Sequence, residues 1–69
     1  MRNDIFLKEM GMKIRTARNE KELTLRELGK LCCLGYDAIS RIELGQKDSH
    51  ILTLKNIADK LGVDVKELL

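Results

Sequence analysis

The stretch "TLRELGKLCCLGYDAISRIELG", residues 24–45, decides the fold. Two short apolar periodicities flank a small turn within it. Leu28, Leu31 and Cys32 recur at helical spacing in the first half, and Ala38, Ile39 and Ile42 in the second. "TLRE", Thr24 to Glu27, has the form of a capping box: the Thr24 hydroxyl caps the start and Glu27 reaches back. A helix is therefore expected from Leu25 to about Cys32. "CLG", Cys33 to Gly35, makes a three-residue turn, and a second helix follows over Tyr36–Leu44. Gly45 is placed as its C′ residue, where a left-handed conformation is needed. Two short helices joined by so short a turn form a helix-turn-helix unit. The outer face of the second carries Tyr36, Asp37, Ser40 and Arg41, clustered toward its start. Lys and Glu would suffice for a solvated face, so this set points to a surface that touches something.

Working outward, Phe6, Met10, Ile14 and Ala17 form the stripe of an amphipathic helix reaching to about Lys21. Asn3 or Asp4 is positioned to cap it. Gly11 interrupts the pattern at a cost of roughly 1 kcal/mol against alanine. The regular helix is accordingly expected to begin near Lys8, after a looser lead-in. Glu20–Leu23 turns the chain into the capping box. After the central unit, Gln46–His50 is a polar loop. Ile51, Leu54, Ile57, Ala58 and Leu61 then mark a fourth helix, stopped by Gly62. "DVKE", Asp64 to Glu67, reads as a second capping box opening a short fifth helix that carries Leu68 and Leu69. The core falls to Met10, Ile14, Leu28, Ile39, Ile42, Leu54, Ile57 and Leu61. With no strand-like alternation, linker or repeat, the expectation is an all-α, compact five-helix bundle spanning residues 1–69 as a single domain.

Composition bounds the function. Sixty-nine residues build a modest core and leave no room for a catalytic cleft on a scaffold. No nucleophile–base pair stands out, and no catalytic residues and no cofactor are expected. Residues 1–47 carry ten Lys/Arg against seven Asp/Glu, a net +3, whereas residues 48–69 carry three against four, a net −1. The first two-thirds is the side suited to an anion. Cys32 and Cys33 are adjacent, a geometry that disfavours a mutual disulfide. His50 is the lone histidine, so no metal site is expected. One buried and one turn thiol in a reducing compartment is the plainer reading. Without a signal peptide or a membrane-length apolar run, a cytoplasmic location is expected.

"KIRTAR…LTLRELGKL…AISRIELG…LKNIADKLGVDVKELL" resembles the Cro and phage-repressor type of DNA-binding domain, the Xre family, from about Met10 to Leu69. "ISRIE-x-G" and the closing "IA-x-x-L-x-V-x-x-x-x-LL" are its most specific parts. The resemblance implies a lambda-repressor-like fold whose third helix lies in the major groove of double-stranded DNA, its first residues on base edges. The base-contact candidates at the matching positions are Tyr36, Asp37, Ser40 and Arg41. Arg41 can donate two bonds to guanine, and Asp37 can accept from an exocyclic amine such as that of cytosine. Asp37 and Arg41 are also i, i+4, and for Asp37 a surface ion pair is the alternative to base contact. Phosphate contacts fall to Thr24, Arg26, Gln46 and Lys47, with the backbone N–H groups at Thr24–Arg26 adding their dipole. Arg18 and Glu43 match family positions that form a structural ion pair fixing the first helix to the third.

The chain also departs from the family pattern. Leu25 stands where a phosphate-binding glutamine is common, and Leu44 where a polar or basic residue is common. Asp48 adds negative charge to a loop that is often basic. Cys33 takes a turn position usually given to glycine, and Gly35 replaces a Ser/Thr cap. These changes thin the phosphate contacts, on which affinity depends. The leading expectation is a sequence-specific, repressor-like transcriptional regulator acting as a homodimer. The alternative is a protein-interaction module of the same fold, antitoxin- or antirepressor-like, with weak DNA binding. Val65, Leu68 and Leu69 are the first candidates for the dimer surface, with Ile5, Phe6 and Leu7 as the second.

Overall fold

Four α-helices and a closing 3-10 turn follow one another in a computed structural model that describes residues 4–69, with side chains from Ile5 onward. They are α1 (Asp4–Glu20), α2 (Leu25–Cys32), α3 (Tyr36–Glu43), α4 (Ile51–Leu61) and the turn Val65–Glu67. No strand occurs among the described residues. The expected cap on α1, by Asn3 or the Asp4 side chain, lies outside what is described.

The expected fifth helix is corrected to that single 3-10 turn. Asp64 caps it by accepting from the Lys66 amide at 3.0 Å, and the return bond from Glu67 that would complete a capping box is not made. Leu68 then turns straight into the core, 1% exposed.

Nor does α1 loosen before Lys8. It runs unbroken through Gly11, which is buried. A Cβ at Gly11 would run into the carbonyl oxygens of Ile42 and Glu43. The glycine is there so that α1 can lie directly on the end of α3, and that packing outweighs its poor helix propensity. Gly45 meets α1 in the same way. Its φ is +73°, and a Cβ there would stand 2.9 Å from Lys8 Cα. The Lys8–Gly11 turn of α1 is thus the seat on which α3 ends.

One contiguous cluster forms the core: Leu7, Met10, Ile14, Leu28, Cys32, Ile39, Ile42, Leu54, Ile57, Ala58, Leu61 and Leu68. All eight residues assigned to the core from sequence lie in it. Of the others assigned to inward stripes, Ala17 and Ala38 are half-buried and three are exposed. Phe6 is 44% exposed, because the unbroken α1 runs its stripe through Leu7, Met10 and Ile14 instead. Leu31 is 45% exposed, because α2 turns Leu28 and Cys32 inward and leaves Leu31 beside them. Ile51 is 57% exposed at the first position of α4, beyond the reach of the other helices. Leu7 and Leu68, named as possible dimer contacts, belong to the chain's own core.

Candidate nucleic-acid interface

The joint between α2 and α3 positions the leading end of α3. The capping box of α2 is closed in both directions. The Glu27 amide donates to Thr24 Oγ1 at 3.0 Å, and the Thr24 amide donates to Glu27 Oε1 at 2.8 Å. α2 ends on Cys33 at φ +60°, and the Leu34 amide then donates to the Gly29 carbonyl at 2.8 Å. Asn56 of α4 donates through Nδ2 to the Cys32 carbonyl at 3.0 Å, satisfying one of the acceptors a helix end leaves free. Gly29 is buried, and a Cβ there would stand 2.6 Å from the Leu34 oxygen and 3.4 Å from the Tyr36 nitrogen. Its missing side chain lets the start of α3 close down on α2.

The inner face of α3 is fully engaged. Ile39, Ile42 and Glu43 are buried. Arg18 Nε donates to Glu43 Oε2 at 2.6 Å and Nη2 to Oε1 at 3.1 Å, a two-pronged, charge-assisted contact. Nη1 of the same guanidinium donates to the Leu23 carbonyl at 2.8 Å. One side chain therefore ties α1, α3 and the turn after α1 together, with the pair only 11% and 5% exposed.

On the outer face, Tyr36, Asp37 and Arg41 are exposed and Ser40 is half-buried. These four side chains form no hydrogen bond or ion pair with one another or with the rest of the protein among the described residues. The Asp37–Arg41 pair is therefore not formed. Instead the Asp37 carboxylate folds back over Gly35, with Oδ1 2.7 Å from where a Cβ on that glycine would stand. Gly35 brings no side-chain cap to α3, and a carboxylate in the first turn suits the positive end of a helix. Asp37 has a local role that Ser40 and Arg41 lack.

Thr24, Arg26, Gln46 and Lys47 are all exposed. Thr24 has both its hydroxyl and its amide committed to the cap, which leaves the amides of Leu25 and Arg26 as first-turn donors. Leu25 is half-buried against the core, while Leu44 is 52% exposed at the end of α3. Asp48 Oδ1 accepts from the Ser49 amide at 2.8 Å. Arg26 Cζ lies 4.4 Å from the centroid of the Tyr36 ring. Reasoning from sequence named these two residues as separate contacts and missed that they stack. The available signal was the i, i+3 spacing of Arg26 and Gly29, which turns the arginine toward the joint.

Among the described residues, no group of three or more His, Cys, Asp or Glu side chains is arranged to hold a metal ion. No helix there is long and apolar enough to cross a membrane.

A family model for helix-turn-helix domains, HTH_3, matches residues 14–68. No curated protein sequence matches the chain. Solved structures do. The restriction-modification controller protein C.AhdI from Aeromonas hydrophila superposes with a TM-score of 0.93 at 23% identity, over 100% of both chains. That likeness speaks for the fold. The clp gene regulator ClgR from Corynebacterium glutamicum gives 0.89 at 27% identity, over 91% of this chain and 81% of its own. The DNA-binding domain of BldD gives 0.87 at 26% identity, over 96% of each.

Proposed function

The chain belongs to the HTH_3 helix-turn-helix family, and we propose that it is a repressor-like, DNA-binding regulator of transcription that reads the major groove with α3 as a homodimer. The observation that carries this reading is the unpaired outer face of α3. A serine and an arginine stand there without a protein partner, beside a tyrosine that meets only the exposed Arg26 guanidinium, on a helix whose other side is seated in the core. Arg41 donates to a guanine, Ser40 takes either hydrogen-bonding sense, and Tyr36 presents its ring or hydroxyl. Asp37 is the weakest member, since it also serves the start of its own helix. Arg26, Gln46, Lys47 and the N-terminus of α2 at Thr24 lie along the phosphates.

One recognition helix covers few base pairs, so specific binding calls for two copies about 34–36 Å apart on the duplex. With Leu7 and Leu68 committed to the core, the exposed apolar side chains open to self-association include Leu69 beside half-buried Val65, Ile5 with Phe6, and Ile51 with Leu52. Leu52, 76% exposed, is the most open of these.

A titration of cognate against scrambled duplexes over a range of salt tests the reading. Discrimination that survives at physiological salt supports it. Weak binding that is equal on both duplexes supports the alternative, a protein-interaction module, for which the exposed Leu44 at the end of α3 is the favouring observation. Sedimentation with an operator duplex tests the dimer. Two chains per duplex are expected, falling to one for Leu52→Glu or Leu69→Glu. One wild-type chain per duplex with full discrimination would remove the dimer from the proposal.

A further inference from the structure

Arg26 and Tyr36 come from different helices, yet the guanidinium carbon of one lies 4.4 Å from the ring centroid of the other. The backbone builds this proximity. Arg26 and Gly29 share a face of α2, and Gly29 has no Cβ to hold the Leu34–Tyr36 turn away. Both side chains are exposed, so no buried surroundings force them together. The contact itself is what restrains them.

We propose that Arg26 is a positioning residue for recognition: stacked on Tyr36, it holds that ring at the leading end of α3 in the place from which it meets the bases. The inference rests on the reading that α3 enters the major groove. A free tyrosine at the first position of a helix loses side-chain freedom when it docks, whereas one already held loses less. The same stack sets the arginine's charge beside the base-reading end of α3, where the flanking phosphate runs. Arginine suits this double role because its planar guanidinium stacks while staying charged. A lysine keeps the charge without the plane.

That difference supplies the test. The chain contains one tyrosine and no tryptophan, so its aromatic signal at this joint is unambiguous. In the free protein, NMR should show the Arg26 side-chain protons shifted upfield by the ring, returning to ordinary positions in Tyr36→Leu. Ordinary positions in the wild type would overturn the proposal without any DNA present. On DNA, the ratio of affinities for cognate and scrambled duplexes is measured for wild type, Arg26→Lys, Tyr36→Leu and the double variant. Arg26→Lys should lower that ratio roughly 2- to 5-fold, the fold-change equivalent to an exposed cation–π contact. Its salt slope should stay that of the wild type. The double variant should discriminate no worse than Tyr36→Leu alone. Independent, multiplying losses, or an Arg26→Lys variant that discriminates like wild type, overturn the proposal while leaving groove reading intact. A wild type that does not discriminate, with the upfield shift present, overturns it through the groove reading instead.

Discussion

Along α3, the side that faces α1 and the side that faces water differ in how much of each side chain is already committed. On the inner side Glu43 gives both carboxylate oxygens to Arg18, and Ile39 and Ile42 are closed into the core. On the outer side Ser40 and Arg41 hold no partner. The eight residues of α3 thus present one committed side and one uncommitted side. The inner side fixes where the helix sits. The outer side keeps its donors and acceptors free, because a group already paired has less to gain from a new partner. If the separation is real, substitutions on one side should change stability without touching specificity, and those on the other side should do the reverse.

Glu43→Gln strikes the inner side hardest. It leaves the Arg18 guanidinium at 11% exposure without a countercharge. Removing one partner of a buried pair costs about 3–5 kcal/mol, a large part of the stability of so small a domain. Thermal unfolding should show a midpoint lowered by more than ~15 °C, or no cooperative transition. An unchanged midpoint would mean that the pair contributes nothing and that α3 is held by its isoleucines alone.

Gly11→Ala comes next, at about 3 kcal/mol. The new methyl meets the carbonyls of Ile42 and Glu43, and backbone cannot step aside as a flexible side chain can. The roughly 1 kcal/mol that alanine gains in helix propensity offsets only part of this. Urea unfolding measures the balance; a stabilised variant would show that α1 and α3 slide apart freely.

Arg41→Ala moves to the outer side. Its stability should stay within ~0.5 kcal/mol of wild type. Its binding should lose about 1–3 kcal/mol at one cognate base pair and relax the preference there. Lys47→Ala serves as the contrast, weakening all duplexes alike and flattening the salt slope by about one. Equal losses for Arg41→Ala on cognate and scrambled duplexes would erase the distinction between the two sides of α3.

The inner side was more legible in the sequence than the outer. Apolar periodicity gave Met10, Ile14, Leu28 and Ile57 correctly, because burial leaves a spacing behind it. It misplaced Phe6 and Ile51, because spacing says which side of a helix is apolar and not whether a neighbour reaches it. Gly11 was misread for a related reason. In a single chain, a glycine that weakens a helix and one that lets two helices touch look the same. The i, i+3 spacing of Arg26 and Gly29 only hinted at the Arg26–Tyr36 stack, since it joins two helices that the closeness at Gly29 brings together.

Cys33→Gly is the smallest change, and it falls on the turn that joins the two regimes. Cys33 sits at φ +60°, where a residue with a Cβ is strained and glycine is not. Relief of that strain should raise stability by about 1 kcal/mol, less the greater freedom that glycine gives the unfolded chain. DNA discrimination should be unaffected, since the thiol lies on neither face of α3. The two cysteines make this measurable by labelling. Cys33 is exposed, whereas Cys32 is buried, and burial pushes its thiol up from the ordinary range, with Lys60 opposing and Cys33 reinforcing the shift. Native wild type should therefore take up an alkylating reagent at Cys33 alone. Native Cys33→Gly should take up almost none until it unfolds, and its remaining slow rate then reports opening of the core around Cys32. A slower opening rate with unchanged discrimination is the expected result. A faster one would mean that the cysteine side chain holds the turn in place, and that α2 and α3 depend on a contact at the surface as much as on the seat beneath them.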